Sequence, residues 1–304
     1  MRKSAITRIV LYSLLTVLLI GILGSFLAIH AGRGFGGFGR MIAAEVLDEA
    51  DLDDLFEDEP DEDGSRFATA SQGETLTFDG EAVGKIEIDW VAGDILVQKG
   101  DVEKIEVRET ESDYPMVYDL REGKLEIRFS KNLRRNFADF RNLPDKDLTV
   151  TVPESWQGKE LEIQSVSADA EIQGMTVENL EYQGVSGECQ VQDCVVRELD
   201  VETVSGNVLL EGEVMELDCE SVSADVTLSV TNVPRKIDMD GVSGRLQLTL
   251  PEDAGFTVDM NGLSKDLDTD FPVTTEKGKF VSGDGSCRIE IDGVSGNVKI
   301  LKRQ

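Results

Sequence analysis

Acidic side chains are the residues of this sequence whose types and spacing best suit chemistry. Seven of them recur at intervals of 18 to 31 residues, and each stands between two apolar residues. Carboxylates that lie side by side can bind hard cations such as Ca²⁺ through oxygen. Two interpretations are open: a solvated acidic face that keeps the protein soluble, or a stripe that binds cations or a cationic ligand. The members of this acidic stripe are Glu162, Glu181, Asp200, Asp218, Asp238, Asp259 and Glu290.

A basic segment interrupts the acidity near the middle of the chain, and two phenylalanines are interleaved with it. Such a segment is typical of a loop that docks on an acidic surface of its own chain, or of one that binds an anionic polymer of the cell envelope. Its residues leave both interpretations open. The members of the basic segment are Arg128, Lys131, Arg134, Arg135 and Arg141.

The composition excludes several kinds of function. Sixty acidic residues against 30 basic ones give a formal net charge of −30, which argues against nucleic-acid binding because phosphate contacts need clustered Lys and Arg. The single histidine, His30, ends an apolar run, so the remainder of the chain lacks the usual general base and metal ligand. We predict no enzyme activity and no cofactor, with Ca²⁺ as the one candidate ion.

A tripeptide, Val-Ser-Gly or a close variant, recurs through the second half of the chain. Counted from its first residue as position 0, positions −5, −3 and +4 are apolar in every copy, and position −4 carries the acidic stripe. Alternation with a period of two on both sides of a fixed corner predicts two strands per repeat. Successive copies are 19, 19, 18, 20, 21 and 31 residues apart, which suits one coil of β-structure. The copies begin at Val166, Val185, Val204, Val222, Val242, Leu263 and Val294, with an outlier at Val91.

Glycine follows at position +2 in five of the eight coils. We predict that these glycines form the corners, where a positive φ or the close approach of the neighbouring coil would exclude a side chain. The serine at position +1 has no His or Lys at a fixed spacing, so its predicted role is structural. The corner glycines are Gly93, Gly187, Gly206, Gly244 and Gly296.

One such coil cannot bury its apolar face alone, whereas coils stacked about 4.8 Å apart build a continuous core. The predicted fold is therefore all-β, a β-solenoid of single-stranded coils of about 19 residues. Residues 154–304 are expected to form the regular repeats, and residues 74–153 an irregular β start that caps the solenoid. The long last interval predicts a coil with an inserted loop around Asp268–Gly285.

The N-terminal region predicts a membrane anchor. Residues Ile9–Ile29 are 21 in a row without a charge, long enough for a helix that spans a bilayer. A cleaved signal peptide is the alternative, because basic residues precede the run. The run is, however, longer than the usual apolar region of a signal peptide. We expect residues 1–8 in the cytoplasm, residues 30–73 as a Gly-rich then acidic stalk, and the solenoid outside the cell membrane.

The four cysteines have neither a Cys-x-x-Cys motif nor a zinc spacing. Cys189 and Cys219 fall on inward positions and are expected to be packed thiols. Cys194 and Cys287 have no assigned role. An external domain would permit a disulfide, and the spacing does not reveal which residues would pair.

From about Thr75 to Lys302 the chain resembles the bacterial putative-adhesin family, a domain of unknown function found in envelope proteins. The resemblance rests on corners such as Val185-Ser186-Gly187-Glu188 and Val294-Ser295-Gly296-Asn297, and on the strand Leu148–Pro153 ahead of them. It implies a β-solenoid head and an envelope-associated or adhesive role. It carries over no catalytic residues.

Three classes of function follow. The first is a non-enzymatic, membrane-anchored surface protein that acts as an adhesin-like binding or scaffold module. The second is a regulatory partner of another membrane protein in an envelope stress response, with the anchor or stalk as the functional part. The third is a carbohydrate-active β-helix enzyme, which would need two carboxyls about 5–9.5 Å apart and aromatic rings that stack on sugars. Aromatic residues make up only 6% of the chain.

Overall fold

A computed structural model describes residues 66–110, 113–130, 145–262 and 267–303. From Phe67 onward these residues belong to one compact unit. The predicted anchor Ile9–Ile29, the N-terminal residues 1–8 and most of the stalk lie outside the described residues. Within the described ranges, no helix combines the length and the apolar character needed to cross a membrane.

Strands account for nearly all of the regular structure in the described residues, which otherwise contain one short 3₁₀ turn at Gly80–Ala82. The strands are β1 Ala68–Thr69, β2 Thr75–Phe78, β3 Lys85–Trp90, β4 Asp94–Gly100, β5 Ile105–Glu109, β6 Val117–Arg121, β7 Lys124–Arg128, β8 Leu148–Pro153, β9 Glu160–Ser165, β10 Asp169–Gln173, β11 Thr176–Gly184, β12 Cys189–Ser205, β13 Val208–Ser223, β14 Val226–Val230, β15 Lys236–Leu250, β16 Phe256–Gly262, β17 Leu267–Thr269, β18 Thr274–Glu276, β19 Lys279–Ser282 and β20 Cys287–Lys302.

These segments form strands because their apolar residues alternate with polar ones. In β3 and β9, buried and half-buried residues alternate along the whole strand. Ile86 and Ile88 of β3 are fully buried, as are Leu161 and Ile163 of β9. These are the −5 and −3 positions of the repeat, so one side of each strand faces the core while the other carries the charges.

Parallel pairing stacks the strands into two faces. Face A runs in the spatial order β7, β3, β9, β11, β12, β13, β15, β20 and β16. Face B runs β8, β4, β10, β12, β13, β14, β15, β20 and β17. The long strands β12, β13, β15 and β20 contribute one part to each face. The described residues therefore form an all-β solenoid, as the repeat predicted.

The order of the coils in space differs from their order in the sequence at both ends. Strand β20, the last in the chain, lies between β15 and β16, and β3 lies between β7 and β9. The long interval before Val294 holds β17, β18 and β19 in place of a simple loop. The first and last Val-Ser-Gly-type coils are consequently interior coils, each covered by a neighbour in the sequence.

Antiparallel strands close most of the stack's ends. On one side β6 pairs with β7 and β5 with β8, and β1 and β2 extend these pairs. On the other side β19 pairs with β16, and β18 pairs with β19. Covered edges matter here because an open parallel stack presents unpaired backbone groups that would template association with other chains.

The cysteines lie in the core as free thiols. All four are free and buried. Burial raises the pKa of the Cys194 thiol to about 11 and that of Cys219 to about 12. Native thiols in this state are poor nucleophiles.

Candidate functional site

The parallel register places the acidic stripe in a single row along the outer side of face A. Glu162, Glu181, Asp200 and Asp218 are direct partners on adjacent strands. Adjacent strands are about 4.8 Å apart. The row is longer than the stripe, because three further carboxylates continue it at the β7 end. In spatial order the carboxylate row comprises Asp119, Glu126, Glu87, Glu162, Glu181, Asp200, Asp218, Asp238, Glu290 and Asp259.

Glu87 stands at position −4 of the Val91 copy, whereas Asp119 and Glu126 could not be predicted from the sequence. They lie on β6 and β7, which have no Val-Ser-Gly corner to set their position in a coil. Glu126 is flanked by Leu125 and Ile127, which are fully buried. This alternation of apolar and acidic residues was the only signal in the sequence for an outward acidic position. The alternation predicted the strand β7, but the sequence did not indicate that β7 pairs with β3.

Cations pair with the row near the β7 end. The Lys85 Nζ lies 2.6 Å from the Glu162 Oε2 and 2.9 Å from the Glu160 Oε1. The Lys124 Nζ lies 3.0 Å from the Glu87 Oε2. These pairs offset part of the repulsion between like charges on neighbouring strands.

The far end of the row also has cations. Lys236 pairs with Asp238 on its own strand. The Lys279 Nζ, from the antiparallel strand β19, lies 2.6 Å from the Asp259 Oδ2. Both ends of face A therefore combine carboxylates with lysines.

The centre of face A has a different composition. On β9 and β11 a glutamine two residues after the row donates an amide hydrogen bond to it: Gln164 Nε2 to Glu162 Oε1 at 3.0 Å, and Gln183 Nε2 to Glu181 Oε1 at 2.8 Å. On β12 and β13 acidic residues occupy the equivalent position. We call the resulting carboxylates the central grid: Glu181, Asp200, Glu202, Asp218 and Glu220.

Burial and neighbouring charge act together on this grid. Burial, followed by the charges of Glu162 and Asp200, raises the pKa of Glu181 to about 7. Burial, followed by the charges of Asp200 and Glu220, raises the pKa of Glu202 to about 7. A desolvated carboxylate beside like charges favours its neutral form.

Arg128 is the one member of the basic segment within the described residues. It ends β7, and its Nε lies 3.1 Å from the Asp89 Oδ2. Its guanidinium also lies 4.3 Å from the centre of the Phe67 ring. Burial raises the pKa of Asp89 to about 7, against the opposing charge of Arg128. Arg128 thus forms part of face A, while Lys131, Arg134, Arg135 and Arg141 lie outside the described residues.

The corner glycines lie where one coil passes closest to the next. Gly187, Gly206 and Gly244 have φ of 131°, 144° and 153°. A Cβ on Gly206 would lie 2.0 Å from the carbonyl oxygen of Gly187, one coil away. Gly93 has φ 99°, and Gly296 pairs in register with Gly244. Both the positive φ and the close approach occur at Gly93, Gly187, Gly206 and Gly244.

A buried lysine at the start of the solenoid was not foreseen from the sequence, where it follows a proline in an apparently polar loop. The Lys146 Nζ lies 2.6 Å from the Glu109 Oε2. It donates hydrogen bonds to the carbonyl oxygens of Tyr114 at 2.8 Å and Phe129 at 2.5 Å. The same atom lies 4.5 Å from the Trp90 ring centre and 4.1 Å from that of Phe129. Lys146, in the loop before β8, therefore links that loop to β3, to β5 and to the end of β7.

The carboxylate row does not converge on a point. Among the described residues, no group of three or more His, Cys, Asp or Glu is placed to hold a metal ion. Ca²⁺ takes six to eight oxygens around one centre, whereas the row offers one carboxylate per strand along a line. This geometry suits an extended cationic ligand better than a single Ca²⁺ ion.

One family model and several solved structures are similar to this chain. The family model described as Toastrack DUF4097 matches residues 83–301. No curated protein matches the sequence. One similar solved structure is a putative adhesin from Bacteroides fragilis, with 15% identity, a TM-score of 0.42 and coverage of 76% of this chain and 98% of that one.

Two other solved structures are also similar. One is a putative cell adhesion protein from Clostridium sporogenes, with 13% identity, a TM-score of 0.35 and coverage of 76% of this chain and 99% of that one. The other is a putative lipid binding protein from Parabacteroides distasonis, with 17% identity, a TM-score of 0.31 and coverage of 78% of this chain and 98% of that one. Likenesses at this level do not carry a function across.

Proposed function

This chain belongs to the Toastrack DUF4097 family, and from that premise we propose that it is a non-enzymatic binding and scaffold module, held at the cell membrane by an N-terminal anchor with its solenoid outside. The observation that carries the proposal is the carboxylate row of face A, which crosses nine parallel strands and one antiparallel strand. A sheet face on which carboxylates outnumber cations attracts a partner of the opposite sign. The proposed partner is a cationic segment of an envelope polymer or of another protein.

The placement of the aromatic rings supports a binding role over carbohydrate chemistry. Trp90 and Tyr182, which lie on strands of face A, are buried on its inner side. A carbohydrate-active site needs exposed rings beside its carboxylates as well as a groove. The carboxylates of face A lie on its outer side, where Glu126 is buried and the others are at least partly exposed, while these two rings point inward.

The contact surface is tested with a deca-lysine peptide as the probe, titrated into the full chain at low ionic strength. At pH 8, where Glu202 is ionised, the triple variant Asp200→Asn, Glu202→Gln, Asp218→Asn should bind the peptide about tenfold more weakly, since each of these outer-face charges contributes about 0.5 kcal/mol. The matched control removes three acidic charges near or on face B, with Glu171→Gln, Glu188→Gln and Glu211→Gln. Equal losses in the two variants would show that only net charge matters, and would contradict a contact surface on face A.

The membrane arrangement is tested by labelling added cysteines in intact bacterial cells that express the full chain. The native thiols are buried and should not interfere. A membrane-impermeant maleimide should label Thr275→Cys, at an exposed position of β18, in intact cells. It should label Ser4→Cys only after lysis. Labelling of Ser4→Cys in intact cells, or of Thr275→Cys only after lysis, would contradict an external solenoid behind a cytoplasmic N-terminus.

A further inference from the structure

The central grid concentrates acidic groups more densely than its surroundings. Glu181, Asp200 and Asp218 are direct partners on β11, β12 and β13, and Glu202 and Glu220 are direct partners on β12 and β13. Partners on adjacent strands stand about 4.8 Å apart, which is close enough for like charges to repel. Since each of these residues is fixed to a paired strand, their backbone positions cannot move apart without breaking the sheet.

The elements on either side supply the charges that face the grid. On the β9 side, Glu162 faces Glu181, and its carboxylate is paired with Lys85 of β3. On the β15 side, Asp238 and Asp240 face Asp218 and Glu220. Lys236 pairs with Asp238 on that side. Both lysines sit on strands outside the grid.

The grid's own strands add further charges at the preceding outward position. They are Glu198 on β12 and Glu216 on β13, while β11 has the uncharged Asn179 at this position. Arg197 pairs with Glu198, and Arg235 pairs with Glu216. Both arginines are well exposed, with 63% and 72% of their side-chain surface accessible, so their effect on the half-buried grid is screened by water.

We propose that the central grid is a proton-operated switch, in which Glu181 and Glu202 take up protons on acidification and thereby tighten the coils formed by β11, β12 and β13. Protonation removes the repulsion between adjacent strands and lowers the negative charge of face A. Deprotonation above neutrality restores both. The switch acts on the folded chain itself and needs no bound partner.

The sign of the effect follows from the direction of the shifts. The pKa values of Glu181 and Glu202 are about 7 in the folded protein, above the ordinary value of 4.5. Between these two values the folded chain holds protons that the unfolded chain has lost, so stability decreases as the pH rises through this window. Carboxylates held in salt bridges behave in the opposite way.

Thermal melting of the full chain at pH 6 and pH 8, at constant ionic strength, tests the switch. The midpoint should be about 5 °C lower at pH 8 than at pH 6. In the variant Glu181→Gln, Glu202→Gln about two-thirds of this difference should vanish, because glutamine imitates the neutral acid at both values, while Asp89, whose pKa is also about 7, keeps its share. A midpoint that rises from pH 6 to pH 8, or a double variant with the wild-type difference, would overturn the proposal.

Glu171→Gln is the matched control. Gln173 donates to Glu171 at 2.5 Å, as Gln183 does to Glu181. Its strand partners on face B, Leu96 and Gln190, are uncharged. The variant Glu171→Gln should keep the wild-type pH dependence of the melting midpoint. If the pH dependence were lost in this variant, the effect would belong to carboxylates in general and not to the central grid.

A second measurement does not depend on any variant folding. Carboxyl carbon NMR titration of the wild-type chain should give midpoints near pH 7 for Glu181 and Glu202. Midpoints below pH 5 would overturn the switch while leaving the deca-lysine experiment and the proposed binding function untouched.

Discussion

Replacing Gly206 by alanine is expected to destabilise the solenoid by about 3 kcal/mol or more. The residue has φ 144°, and a non-glycine residue held in such a conformation costs about 1–3 kcal/mol by strain alone. The new Cβ would also lie 2.0 Å from the carbonyl oxygen of Gly187. That oxygen belongs to the backbone of the adjacent coil, so relief of the clash requires the two coils to separate.

The measurement is the free energy of unfolding by denaturant, in wild type and variant. Ala224 offers a matched control because it occupies the same corner position in its own coil and is buried. Ala224→Gly should cost about 1 kcal/mol, from added chain entropy and one lost methyl group. If Gly206→Ala costs no more than Ala224→Gly, the close approach of the coils does not restrict this corner.

Replacing Lys146 by methionine is expected to cost about 3–5 kcal/mol, because the substitution leaves the Glu109 carboxylate buried without its cation. The carbonyl oxygens of Tyr114 and Phe129 also lose a hydrogen-bond donor. Burial lowers the pKa of the lysine, and the Glu109 carboxylate opposes that shift. The ion pair is therefore what retains the charge of Lys146 in the core.

Two variants separate the ion pair from general effects of removing a lysine. Lys279→Met removes a half-exposed partner of Asp259 and should cost less than about 1 kcal/mol. Adding Glu109→Gln to Lys146→Met should recover part of the loss, since a neutral amide can still accept from the Met116 N–H. A loss below about 1 kcal/mol in Lys146→Met, measured by denaturant unfolding, would mean that the pair does not hold the start of the solenoid together.

The repeat could be predicted because its signal is local. Inward positions such as Leu180, Leu199 and Leu217 stand at a constant distance from the corner, and all three are buried. The all-β solenoid and the family resemblance drawn from the corners are both confirmed. The period of two in the strands requires no knowledge of which strands pair.

The candidate site could be predicted only where it coincides with that repeat. The seven residues of the acidic stripe were found from their spacing. Asp119 and Glu126 belong to the row because β6 pairs with β7 and β7 pairs with β3, and the spacing of residues in the sequence does not predict these pairings. The insertion of β20 between β15 and β16 changes the neighbours of Asp238 and Asp259. Reading the coils in chain order would have made those two residues partners.

The sequence by itself determined the strand alternation, the corner glycines as candidates and the acidic outer face, because each depends on residues within about 20 positions of one another. Tertiary structure decided the order of the coils, the burial of Lys146 and the grouping of Glu181 with Glu202 and their acidic neighbours. These features depend on which strands lie side by side. The free energy that selects the pairing comes from burying inward faces and covering exposed edges, which are properties of the whole stack rather than of any one repeat.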